Sequence, residues 1–241
     1  MNAPKTYWDE ARWPWWSAAA VVGTDLAACG WFFKLNNSGV VGRSLFDAFF
    51  GAWGIVPRLL FVGVLVAFVV GRGGRRGLGL VADQLARRAT HFAVLAGVLA
   101  SITLLLTAAA VIVVRWAGHP EAIQPPVYRD GDTTGWIVIF VLGLPAMEEL
   151  MYRSVVHGTM RRWMGPWGAI VCGGLLFGLV HYFYGIGLAW VWGYAIAGMM
   201  LAWMYERTGS VLFSWLLHAL ANLSAALVST RTGLFESMRG G

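Results

Sequence analysis

Two adjacent glutamates lie deep inside an apolar run, and no other feature constrains this chain as strongly. The run opens at Gly135 and reads Trp-Ile-Val-Ile-Phe-Val-Leu-Gly-Leu, after which Pro145-Ala146-Met147-Glu148-Glu149-Leu150-Met151-Tyr152-Arg153 brings in three charges. An ionised carboxylate at the centre of a bilayer-length helix costs about 2.5–3.5 kcal/mol even on the mildest insertion scale, so such residues face a polar interior and carry a function by default.

Composition explains why the setting is a bilayer. Hydrophobic residues make up 58% of the 241 and charged residues only 12%, with a mean hydropathy of +0.63, which describes a polytopic membrane protein and not a soluble domain. The formal net charge of +6 is concentrated in a few connectors, as topology signals are, and no basic soluble face is present for nucleic acid. Cys29 and Cys172 both fall in apolar stretches with no metal-ligand spacing, so they read as small buried hydrophobes. Arginine outnumbers lysine 16 to 2, and with abundant Ala, Gly and Val this suggests a GC-rich bacterial genome.

Hydropathy predicts about seven spans in an all-α, polytopic transmembrane helix bundle. They cover 17–35, 51–70, 91–114, 136–160, 166–184, 188–205 and 210–228. Trp8, Trp13, Trp15 and Trp16 read as headgroup-level anchors ahead of the first span, no cleavable signal peptide is evident, and Asp25 is an oddity inside that span. The connector from Gly71 to Arg88 is strongly basic and marks the cytoplasmic side, as do Arg161 and Arg162 after the fourth span. The N-terminus is therefore expected inside. Residues 1–134 form N-terminal membrane helices with this basic loop, 135–228 the core, and 229–241 a flexible tail.

The polar residues of the core fall at helical spacing. Glu149 with Arg153, Phe177 with His181 and His218 with Asn222 are each i,i+4 pairs, which aims the members of each pair at one face. Glutamate N-terminal to arginine is the favourable order, so Glu149 is expected to compensate Arg153, leaving Glu148 without a partner on its own helix. Glu148 and His218 lie near the middles of their spans, and His181 lies roughly 6 Å further outward at 1.5 Å per residue. The three can meet. His91 and His157 read as packing or helix–helix bonding residues.

In that order on three hydrophobic segments, Glu148-Glu149-x-x-x-Arg153, Phe177-x-x-x-His181 and His218-x-x-x-Asn222 resemble the CPBP family, the CAAX proteases and bacteriocin-processing enzymes related to type II CAAX prenyl endopeptidases. The resemblance covers roughly 135–228 and implies an intramembrane glutamic endopeptidase with a polar active-site cavity at mid-membrane. On that basis Glu148 with His181 would activate a water as general base, and His218 with Asn222 would donate hydrogen bonds to the oxyanion. Glu149, Arg153 and Phe177 would support them. No cofactor or metal is implied.

The implied partner is a membrane-tethered protein or peptide, cut near its C-terminus, in the bacterial cytoplasmic membrane. A prenylated tail, a C-terminal sorting signal, a bacteriocin leader and another membrane protein all remain open, and a bacterial source counts against the prenylated tail. Trp190, Trp192, Tyr194 and Trp203 are placed to line a groove for such a ligand or to anchor at the interface. Other readings are a non-catalytic scaffold or bacteriocin-immunity factor and a zinc-dependent membrane protease, although the chain has no His-Glu-x-x-His helix. A proton-coupled transporter would show an inverted repeat, and the two halves show none.

Overall fold

The computed structural model describes residues 13–37, 141–183 and 188–231, with eight isolated positions from Val94 to Ile112. Among the described residues every element is helical and none is a strand. In chain order they are α1 (Trp15–Asn37), α2 (Leu144–Glu149), a π-helical segment (Leu150–His157), α3 (Gly158–Phe183), α4 (Leu188–Thr208) and α5 (Val211–Arg231). The expected spans at 17–35, 188–205 and 210–228 fall on α1, α4 and α5. The expected third span is helical and exposed at the eight isolated positions. The second span, the basic connector, the loop at 115–134 and the tail beyond 231 lie outside the described residues, so the count of seven rests on the sequence.

Helix runs unbroken from Val141 to Phe183 except at Gly165, whose φ of 72° and ψ of −179° suit only glycine. Pro166 follows at once, so the backbone breaks between the expected fourth and fifth spans, where the sequence places their boundary. Gly209, at φ 65°, ends α4 with its N–H on the Tyr205 carbonyl at 2.7 Å.

α3 packs most extensively on α4. Gly174 and Gly178 make this possible, one turn apart on the face that meets Ala195, Gly198 and Met199. A Cβ on Gly174 would come within 2.7 Å of the Met199 backbone nitrogen and 2.8 Å of the Ala195 carbonyl, and one on Gly178 within 2.6 Å of the Val191 carbonyl. Small residues let membrane helices approach closely where lipid supplies no hydrophobic drive. Flanking that face, Trp167, Val171, Leu175, Leu179 and Tyr182 form an exposed stripe at helical spacing.

The packing is inverted relative to a soluble domain. Arg153, Glu149 and His157 are among the largest fully buried side chains, while Trp163, Trp167 and Trp192 are exposed. That inversion suits hydrocarbon outside and polar groups satisfied within. Val141–Phe183 is apolar and long enough to cross a membrane, and together these features point to a helical membrane protein. Two apolar clusters flank the polar centre. One joins Trp13, Val21, Tyr152, Val155 and Phe177 across α1, the π-helical segment and α3; the other joins Leu201, Met204, Phe213 and Leu217 across α4 and α5.

One end of the bundle is tied by charge. Glu206, one residue past the expected sixth span, accepts from Arg161 Nε at 2.8 and 2.9 Å and lies 3.0 Å from His157 Nε2. Arg162 donates to the Trp13 carbonyl at 2.9 Å, so the start of α1 and the Gly165 break share this end. Burial works against the Glu206 charge, but the hydrogen bonds and positive charge of His157 and Arg161 outweigh it and hold the carboxyl below the usual carboxylate range.

Two outcomes follow from this packing. Gly178→Leu drives a side chain into backbone and is expected to lower the melting temperature of the detergent-solubilised protein, overpacking costing about 1–3 kcal/mol. Gly173→Ala, which meets nothing within 4 Å, is expected to leave it unchanged or raised. A carboxyl with a depressed folded pKa stabilises above its unfolded value of about 4.3 and loses that contribution as pH falls through the folded one. Glu206→Gln is therefore expected to lower the melting temperature at pH 7 and to converge with the unmodified protein as acidification carries the pH through the depressed folded value; a gap that does not narrow on acidification would contradict the clamp.

Candidate active site

The site begins with an irregular helix. Pro145 lacks the N–H that an interior helical residue donates and its ring crowds the preceding turn, and residues 141–143 just before it are π-wound. The backbone widens again from Leu150 to His157, directly after the glutamate pair. Such insertions are rare and recur at functional sites. Seven successive residues here, Met151 to His157, are all buried, so both sides of the helix are covered by protein.

Glu149 is the most enclosed of the polar groups. One of its oxygens accepts from His218 Nδ1 at 2.9 Å, and the other lies 2.9 Å from Arg153 Nε as an ion pair without hydrogen-bond alignment. The carboxylate thus joins α2 and the π-helical segment to α5. The sequence reading gave Glu149 to Arg153 alone; i,i+4 spacing reveals partners on one helix but not those across the bundle, and a carboxylate has two oxygens to share. Because Glu149 accepts the Nδ1 proton, His218 turns Nε2 towards Glu148, whose Oε2 lies 3.9 Å away. That separation is within ion-pair range and beyond a direct hydrogen bond.

Phe177 stands at the centre of the remaining contacts. Its ring meets His181 at 4.5 Å, His218 at 5.9 Å and Tyr152 at 5.4 Å between centroids, and the Arg153 guanidinium lies 5.1 Å above it. A buried guanidinium over an aromatic face gains a cation–π attraction of about 2 kcal/mol when desolvated. Arg153 Nη2 has no hydrogen-bond acceptor among the described residues. His181, in the last turn of α3, donates from Nδ1 to the Phe177 carbonyl at 2.8 Å, which leaves Nε2 as the basic nitrogen of the neutral ring.

Tyr194 of α4 stacks on His181 at 4.1 Å and 22°, and lies near enough to Glu148 to feel its charge. Of the expected site residues, Glu148, Glu149, Arg153, Phe177, His181 and His218 therefore join in one network. Asn222 is placed one turn past His218 on α5 and is half-buried. Trp192 is exposed, and Trp203 stacks under Arg207 at 5.4 Å. The side chain of Trp190 lies outside the described residues.

Three participants escaped the motifs. Tyr194 was visible only as one aromatic among several. Tyr152 hides beside Arg153, although a buried phenol ordinarily needs a partner. Asp25 supplies that partner, accepting from Tyr152 Oη at 2.7 Å in the interior. A lone carboxylate inside an apolar span was the available signal.

For zinc, no three His, Cys, Asp or Glu side chains among the described residues converge with metal-ligand geometry, and no step is assigned to a metal. No curated protein and no solved structure matches the chain. Residues 130–224 match the model of a family described as type II CAAX prenyl endopeptidase, Rce1-like. That stretch contains Glu148, Glu149, Arg153, Phe177, His181, His218 and Asn222, and over it the chain is similar to the Rce1-like CAAX endopeptidases.

Proposed function

We propose that this protein is an intramembrane glutamic endopeptidase that hydrolyses a peptide bond near the C-terminus of a membrane-tethered protein. The observation that carries the reading is the pairing of Glu148 with a histidine already oriented by a second carboxylate. His218 is fixed through Nδ1 by Glu149 and presents Nε2 3.9 Å from Glu148 Oε2, a separation that one water bridges. A general base must come within hydrogen-bond reach of the proton it takes, directly or through one water.

In this mechanism Glu148, aided by His181, takes a proton from the water as its oxygen bonds to the scissile carbonyl carbon. The carbonyl π pair moves onto oxygen, where His218, acting as an imidazolium with one proton on Nδ1 towards Glu149 and the other on Nε2, and Asn222 donate to the negative charge. On collapse the C–N bond breaks, and the proton held by Glu148 passes to the leaving nitrogen. Glu149 and Arg153 act as positioning residues. In this reading the water and the scissile carbonyl are held among α2, the π-helical segment, α3 and α5, and 135–228 forms the catalytic unit. The end carrying Trp13, Arg161 and Glu206 is the cytoplasmic one, because the basic connectors and Arg161–Arg162 follow the positive-inside rule.

Glu148→Gln keeps the shape of the side chain and removes the base. Reconstituted in vesicles with a prenylated CAAX-type peptide or its unprenylated counterpart, the variant is expected to cleave about 10²- to 10⁴-fold more slowly while melting within a few degrees of the parent. Cleavage within tenfold of the parent would remove Glu148 from the role of base. A correctly folded parent that binds either peptide but cuts neither would favour the scaffold reading.

A further inference from the structure

The catalytic network extends beyond the family-matched segment into the first helix. Asp25, on α1, lies 127 positions before Tyr152, yet it accepts the Tyr152 phenol at 2.7 Å in a buried hydrogen bond. Asp25 and Tyr152 are each only 2% exposed. Tyr152 sits inside the π-helical segment, next to Arg153, and meets the Phe177 ring edge-on at 86°. Phe177 in turn touches His181, His218 and Arg153. One bond from α1 thus reaches, through two rings, the residues assigned to the chemistry.

Taking a carboxylate into a membrane interior is expensive, and packing alone gives no reason for one. An apolar residue at position 25 would fill the same space in the cluster that already joins Val21 and Leu26 to Tyr152 and Phe177. The π-helical turn supplies the reason. Its π-wound backbone sets the rotation of Tyr152 and Arg153 about the helix axis apart from that of a regular α-helix, and the hydrogen bond from the Tyr152 phenol to Asp25 ties that rotation to α1. The start of α1 is anchored separately, through Arg162 to the Trp13 carbonyl and through Trp13 against Gly158, so α1 is held in register for Asp25 to do this.

We infer that Asp25 is a positioning residue of the site, acting through Tyr152 and Phe177 to hold Arg153, His181 and His218 in their working arrangement. This rests on the peptidase reading and adds a residue outside the stretch 130–224. The role requires a hydrogen-bond acceptor at position 25 and not a charge as such. Asparagine can supply the acceptor and alanine cannot.

The test is steady-state cleavage by the full chain in vesicles, expressed per folded molecule, for Asp25→Ala, Asp25→Asn, Tyr152→Phe and Asp25→Ala/Tyr152→Phe. Asp25→Ala and Tyr152→Phe are each expected to lower kcat on the order of ten- to a hundredfold with KM within about twofold, as sub-ångström misplacement does. The double variant is expected to be no slower than the slower single, and Asp25→Asn to recover most of the rate. Unchanged kcat per folded molecule, with only the melting temperature reduced, would overturn the inference, as would multiplying effects in the double variant or an Asp25→Asn variant as slow as Asp25→Ala. Absence of cleavage by the parent would instead count against the peptidase reading, so the two failures are distinguishable. If Asp25→Ala does not fold, Asp25→Asn and Tyr152→Phe still decide between the outcomes.

Discussion

A single fully buried carboxylate, that of Glu149, sets the conditions for the rest of this bundle. It is fully enclosed by protein, so Arg153 and His218 supply the compensation, and they approach from two different elements. Leaving a buried charge without its partner costs about 3–5 kcal/mol, which makes the approach of α5 to the π-helical segment a requirement of the charge and not a by-product of apolar packing. The same contact selects the His218 nitrogen that meets Glu148. The compensation of a buried charge and the orientation of His218 towards Glu148 therefore depend on the same carboxylate.

The surrounding helices serve this arrangement. Gly174 and Gly178 bring α4 against α3 closely enough for Tyr194 to stack on His181, and Ser214 fastens α5 to α4 through the Leu201 carbonyl at 3.2 Å. Trp215 donates to the Leu142 carbonyl at 2.9 Å, closing α5 onto the start of the glutamate-bearing helix. These bonds are cross-helix, and each involves a backbone carbonyl or an aromatic ring, the contacts available where exposed surface is apolar and the interior is polar. The Glu206 clamp at one end does for the helix ends what Glu149 does at the centre.

Much of this was legible in the sequence, and the limits have physical causes. Apolar length and loop charge located α1, α4 and α5 to within a few residues, since a bilayer imposes long uniform segments. The i,i+4 pairs found Glu149 with Arg153 and Phe177 with His181, since a helix fixes neighbours along itself. Sequence could not show that the backbone is π-wound after Glu149, because no residue type demands it there. Nor could it show the bonds from Glu149 to His218 or from Asp25 to Tyr152, 69 and 127 positions apart, which depend on helix rotation and crossing that hydropathy leaves undetermined. Asp25 was conspicuous in the sequence, but its partner was not.

The contact on which everything else rests is the one between Glu149 and His218, and a double-mutant cycle measures it most directly. Unfolding free energies of the detergent-solubilised parent, Glu149→Ala, His218→Ala and the double variant isolate the pairwise term, with the cost of stranding Arg153 cancelling between the two arms. A buried, charge-assisted hydrogen bond across helices predicts a coupling of about 2 kcal/mol or more. A coupling within about 0.5 kcal/mol of zero, as for independent sites, would contradict the account.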